Sequence, residues 1–269
     1  MRLEEQIKPY ELSYQPNFKA MSNEALENMV EAGQEVLNIH RILAKTGANV
    51  VGELLKGYSG FMEWDHYPKG DVYDRDTHAQ FYYHAHVADQ RFENEHGHFH
   101  TFLRPKGMPE DLRPAMVADA TLPENPDDHL SHLIAISMNP AGIPFRLFTV
   151  NRWVTGEVWY TAEDVIQMLD LFEIDHTWPS WPVNRWISAM IPLFRPQVLA
   201  LVAARDRAVA QWAGLEAPAA DGPLANPPAP ALPADATFED RQLEVTSYID
   251  ISIEAQVQSV AQELLSREG

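Results

Sequence analysis

The sequence predicts an α+β protein: a mainly antiparallel sheet of five or six strands with helices packed on one face. Three observations carry this. Apolar residues between 22 and 43 recur every three or four positions, the period of a helix with one buried stripe. The runs Phe81-Tyr-Tyr-His-Ala-His-Val87 and Glu95-His-Gly-His-Phe-His-Thr-Phe-Leu103 alternate with period two, the period of strands. Further apolar runs at 132–138, 144–153 and 243–253 are bounded by turn residues. At 269 residues the chain can bury one sizeable core, and residues 1–269 are read as a single domain.

The first helix begins at Ser22, a capping residue, and carries Leu26, Met29, Val30, Gly33, Val36, Leu37, His40 and Leu43 on its stripe. Gly47 interrupts it, and a short second helix follows over about 49–56. Gly60, Pro68 and Gly70 mark residues 58–76 as a loop. The two histidine runs form a hairpin. Residues 105–126, rich in proline and acid, read as an irregular excursion with one turn of helix. The strand 132–138 turns at Pro140-Ala-Gly142 into a partner over 144–153, and Thr155-Gly156 permits another turn into Glu157-Val-Trp-Tyr160. Thr161, with Asp164 three residues on, caps a helix through Val165, Met168, Leu169 and Phe172. Residues 178–186 hold three tryptophans and two prolines and read as a stiff loop. A longer helix then runs to about Trp212, divided near its start by Pro192 and Pro196. Residues 215–240 are Ala/Pro-rich, an extended arm. The strand pattern at 243–253 returns to the sheet, and a terminal helix ends near Ser266.

The composition narrows the chemistry. The formal net charge is −19 with no cluster of Lys and Arg, which argues against nucleic acid and anionic membranes as partners. No apolar run is long enough to span a bilayer and the first residues lack a signal-peptide core, so a cytoplasmic protein is expected. With no cysteine, thiolate zinc sites, cysteine-ligated clusters and blue copper are excluded. Neither Gly-x-Ser-x-Gly nor a Gly-rich phosphate loop is present.

What remains is imidazole. His84, His86, His96, His98 and His100 fall at even spacing, so a hairpin can turn all five to one face. With the turn centred at Phe92, His84 lies opposite His100 and His86 opposite His98; a full-residue shift keeps the face and changes the pairs. Tyr83, Ala85, Val87, Phe99, Thr101 and Leu103 then form a mostly apolar opposite face, and Gly97 allows a close approach. Three imidazoles can hold a divalent ion and leave positions open for water, dioxygen or substrate. The expected ligands are His84, His86, His98 and His100, with His132 joining from the next strand. The expected ion is iron, with zinc or copper as alternatives. Zinc lyases of the α-carbonic-anhydrase type use a similar device, a His-x-His pair with a third histidine on the neighbouring strand; the likeness is one of chemistry alone.

Two further residues are candidates for catalysis. Glu95 can complete the ligand set or act as a base beside it, although strict alternation points it away from the histidines. Arg104 shares the histidine face and can clamp a substrate carboxylate or form a rim salt bridge. His66 can close a site from its loop, His40 reads as a buried histidine, His129 as a loop residue, and His78 and His176 as surface residues. Arg146 and Arg152 carry the same two readings as Arg104.

The segment Glu95-His-Gly-His-Phe-His-Thr-Phe-Leu resembles the signature of an uncharacterised bacterial family, a domain of unknown function carrying Glu-His-Gly-His-Phe-His. Such a family covers most of the chain and implies no established activity. The expected function is a metal-dependent oxidoreductase using dioxygen on a small molecule. The alternatives are a zinc hydrolase or lyase, a non-catalytic metal or haem carrier or sensor, and an interaction module responding to pH.

Overall fold

A computed structural model of the chain describes residues 11–115, 122–212 and 243–267. Six antiparallel strands form one sheet in sequence order: β1 (Tyr67–Tyr73), β2 (Ala79–His84), β3 (Gly97–Leu103), β4 (Ser131–Met138), β5 (Pro144–Val150) and β6 (Val245–Asp250). Seven α-helices accompany it: α1 (Asn23–Ala44), α2 (Val50–Leu54), α3 (Arg152–Thr155), α4 (Ala162–Met168), α5 (Trp181–Leu193), α6 (Arg195–Trp212) and α7 (Ile253–Arg267). Among the described residues no single helix is long and apolar enough to cross a membrane. The Ala/Pro-rich arm and the first ten residues lie outside the described residues.

Local chemistry sets the helix ends. The Ser22 side chain accepts from the Ala25 N–H at the start of α1, and Thr161 and Asp164 close a reciprocal capping box on α4. The stripe of α1 is turned slightly from expectation. Ala32 and Ile39 are buried with Leu26, Met29, Val36 and Leu43, while Val30, Leu37 and His40 sit at its edge. Rather than forming a loop, residues 181–186 start α5, because Pro182 falls in the first turn, where its missing N–H costs nothing. The chain breaks at Phe194, and α5 and α6 meet at 75°.

Three expectations fail in the strands. Part of the loop 58–76 is β1, tolerated there because an edge strand can carry Pro68 and Gly70 and an irregular register between Tyr67 and Val72. The run to Trp153 stops at Val150, because Asn151 caps the short α3 with its side chain. Glu157–Tyr160 belongs to no strand among the described residues; Val158 donates to Leu130 O and Trp159 O accepts from Ala115.

The two faces of the sheet differ. On one, Phe81, Tyr83, Phe99, Leu103, Ile136, Leu147 and Ile249 join the main core with Trp186, Ile187, Met190, Val198 and Leu201 of α5 and α6. On the other, Phe92, Ala135, Phe148, Val150, Val245 and Tyr248 make a smaller cluster, and the histidines stand beside it.

Candidate metal centre

The register places the histidines. In the β2–β3 ladder His84 pairs with His98, Tyr82 with His100 and Tyr83 with Phe99. The turn centre has moved one residue, from Phe92 to Arg91, so each residue's partner moves by two, parity survives and the pairs change. His84 and His98 face each other across the ladder, with Nε2 atoms 2.8 Å apart. His86 lies just beyond the end of β2, with its ring 5.0 Å from that of His84 and 5.2 Å from that of His98. One ring nitrogen from each of His84, His86 and His98 falls within 4.8 Å of the others. Nitrogens bound about 2.1 Å from one ion stand about 3.0–3.4 Å apart, so small ring rotations bring these three to a common ion.

Small residues make room on the next strand. Ser137 lies opposite His98 and Ala135 opposite His100, so neither ring meets a bulky partner. Between His100 and Phe102 the β3–β4 register slips, and the bulge is secured by Thr101. Its hydroxyl donates to Ile134 O (2.7 Å) and accepts from Ile134 N (3.2 Å). The extra residue in β4 puts His132 opposite Phe102, in phase with the histidine face. His132 Nε2 then meets His100 Nδ1 at 2.9 Å. The five expected ligands therefore divide into a group of three and, beside it, the hydrogen-bonded pair His100–His132. His100 Nε2 is buried and has no hydrogen-bond partner among the described residues.

Glu95 does not follow strand alternation, because it lies in the connection before β3, after Asn94 in left-handed backbone (φ 63°). Its carboxylate turns inward: Oε1 is 3.0 Å from His98 Nδ1 and Oε2 accepts from Phe92 N. A carboxylate behind an imidazole fixes its tautomer and directs the other nitrogen, here Nε2, into the site. Burial alone raises the Glu95 carboxyl, but His98 and hydrogen bonds from His98, Ser137 and Phe92 N outweigh it and hold the carboxyl below its usual range. Burial pushes His84 far down, aided by His98, His86 and His66. Burial, with His98 next, pushes His86 down to about 3. These imidazoles are neutral, and a neutral imidazole keeps the lone pair that binds metal.

His96 departs from the set. It precedes β3, and its Nδ1 bonds the Tyr83 hydroxyl at 2.7 Å, on the core side. Gly97 permits this: a Cβ there would lie 2.5 Å from His84 O and 2.8 Å from Tyr83 Oη. Arg104 is engaged away from the group. Its Nε donates to Gln80, and Nη1 donates to the Asp127 carbonyl and the Asp128 carboxylate. The rim salt bridge is thus the reading the structure matches. Arg146 pairs with Asp250 and lies 4.4 Å from the ring centres of Phe92 and Tyr248.

A cavity of about 540 Å³ opens onto His84 and His86. Trp64, His66, Tyr82, Trp153, Asp89 and Glu244 are among its walls. Trp64, also in left-handed backbone (φ 71°), stacks on His86 at 4.3 Å. His66 stacks on Tyr82 at 3.7 Å, with its Nδ1 2.9 Å from Asp71. The loop position expected of His66 is therefore met. Trp64, Trp153 and Glu244 were not singled out by the sequence, since no periodicity links a loop, the short α3 and the segment before β6. The other histidines have structural partners: His40 accepts from Trp186 Nε1, His129 bonds Pro123 O, His78 bonds the Tyr73 hydroxyl and His176 contacts Asn184.

Fold and site together define an α+β protein with a buried three-histidine group, capable of holding a metal ion, at the wall of an aromatic cavity. The chain belongs to the family described as Domain of unknown function (DUF6969), whose model matches residues 30–251. No curated protein and no solved structure matches it.

Proposed function

We propose that the protein is a metal-dependent enzyme with a mononuclear centre held by His84, His86 and His98, acting on a small organic molecule. The observation that carries this is the convergence of three buried imidazoles at the edge of a cavity large enough for a small substrate. Glu95 orients His98, and Trp64 packs against His86. Three ligands from two neighbouring segments leave one side of the ion for exchangeable partners.

Ferrous iron is the ion of this proposal and dioxygen its co-substrate. The donors are all nitrogen, and Trp64, Trp153 and Tyr82 line the cavity beside them. When bound, ferrous iron supplies the electrons that start dioxygen reduction. Zinc is the second reading, favoured by one observation: a His-x-His pair, a third histidine on the next strand and a carboxylate behind it also suit an ion that activates water.

Elemental analysis of untagged protein purified without air separates these readings. The iron proposal expects about one iron per chain and a change in the visible spectrum on admitting air. One zinc per chain with no spectral change would replace iron with a hydrolase or lyase. Several weakly held ions per chain, removed by gel filtration, would favour a carrier and contradict the enzyme.

A further inference from the structure

The cavity has one sign of charge. Among the described residues, Asp89 and Glu244 are the carboxylates on its wall, and neither Lys nor Arg lines it. Arg91, on the same loop as Asp89, is already held by the His86 carbonyl and by Glu63 (2.5 Å). Asp71, bonded to His66 and Gln80 next to the cavity, is of the same sign. The walls are otherwise aromatic: Trp64, half exposed with one face against His86, together with Trp153 and Tyr82. His86, 5% exposed, lines the cavity with an Nδ1 that has no hydrogen-bond partner and lies 3.6 Å from Glu244 Oε1.

Charge counting extends the point and rests on the metal reading above. A divalent ion brings two positive charges. Glu95, Glu244 and Asp89 bring three negative ones. The loaded site thus keeps one net negative charge, which a singly charged cation neutralises and an anion worsens. Indole faces attract ammonium groups through their negative π-surface. The net charge of −19 also draws cations toward the molecule.

We infer that the cavity selects a small organic cation, an ammonium group on an apolar or aromatic body, with Trp64 and Trp153 packing the body and Glu244 and Asp89 receiving the charge. Carboxylate and phosphate substrates are excluded by the same residues.

Calorimetry with benzylammonium, benzyl alcohol and benzoate as probes tests this on the full chain, both metal-loaded and metal-free. The three have similar size and differ in charge. Benzylammonium should bind roughly tenfold or more tighter than benzyl alcohol, and benzoate should give no heat. Glu244→Gln and Asp89→Asn should each weaken benzylammonium several-fold and leave benzyl alcohol unchanged; Asp89 is exposed, so its variant keeps the test alive if the other misfolds. Trp153→Ala should weaken both. Benzoate binding as tightly as benzylammonium, an unchanged preference in both charge variants, or no heat from benzylammonium at millimolar concentration would overturn the inference. Metal content of the same samples keeps the two readings apart. Loss of the preference with the ion retained removes only the cation selectivity, whereas the preference without any ion removes only the metal centre.

Discussion

Strand β3 presents two opposite sides to two different environments. Phe99 and Leu103 enter the core under α5, where shape and apolar area matter. His98 and His100 face away from that core, among other imidazoles, where position and proton count matter. The backbone between them is the same, so period two alone separates packing from chemistry. The helix side needs only apolar residues of suitable volume. The histidine side needs Glu95, Ser137, Ala135 and a bulge to hold its rings, and removing one member leaves buried polar atoms unpaired.

Substitutions on each side should break different properties. His98→Ala should have the largest effect on metal, reducing bound ion from about one per chain to near zero while circular dichroism stays native; His84→Ala should do the same. Phe99→Ala should have the largest effect on stability, about 3–5 kcal/mol by denaturant titration, because it opens a cavity in the helix-side core. Metal binding by the fraction that remains folded should persist. Glu95→Gln should fall between the two, weakening metal about 10–100-fold, since it removes the charge behind His98 without removing a ligand. His176→Ala, next to Asn184 and far from the group in the fold, should leave metal content unchanged.

Acid sharpens the same contrast in metal-free protein. His86 and His132 have pKa values near 3 when folded, through burial first, against an ordinary 6.5. Between these limits the unfolded chain binds protons that the folded chain refuses, so stability falls as pH falls. Each group contributes about 1.4 kcal/mol per pH unit in that window. His84 and His100 act in the same direction. Glu157, raised to about 7 by burial, acts oppositely between its ordinary 4.5 and 7, and offsets one of the four histidines there. Thermal melts from pH 7 down to 4 should show a steady loss of stability. Bound metal should flatten that loss until protons displace the ion.

The face shared by His84, His86, His98 and His100 was legible in the sequence, whereas the register and the departure of His96 were not. Parity depends only on even spacing, which a two-residue change of partner preserves. Register depends on the connection from Ala85 to His96, which is a 3₁₀ turn at Ala88–Gln90 followed by a left-handed Asn94, not a tight hairpin whose length dictates pairing. Glu95 turned inward for the same reason, because alternation has no meaning in a turn. His132 reached the site through a bulge with no sequence mark beyond Thr101. His96 left the set because Gly97 lets the Tyr83 hydroxyl reach over to it. β1 was hidden by Pro68 and Gly70, which usually signal loops but are compatible with an edge. The helices α1 and α4, capped by Ser22 and Thr161, were the most readable elements.

Cobalt(II) titration of the metal-free protein tests the central claim most directly, because its visible bands report coordination by the protein rather than mere adsorption. The account predicts absorption that rises to a sharp end point at one cobalt per chain and is absent from His98→Ala. A colourless titration, or the same spectrum in the wild type and in His84→Ala, His86→Ala and His98→Ala, would contradict it.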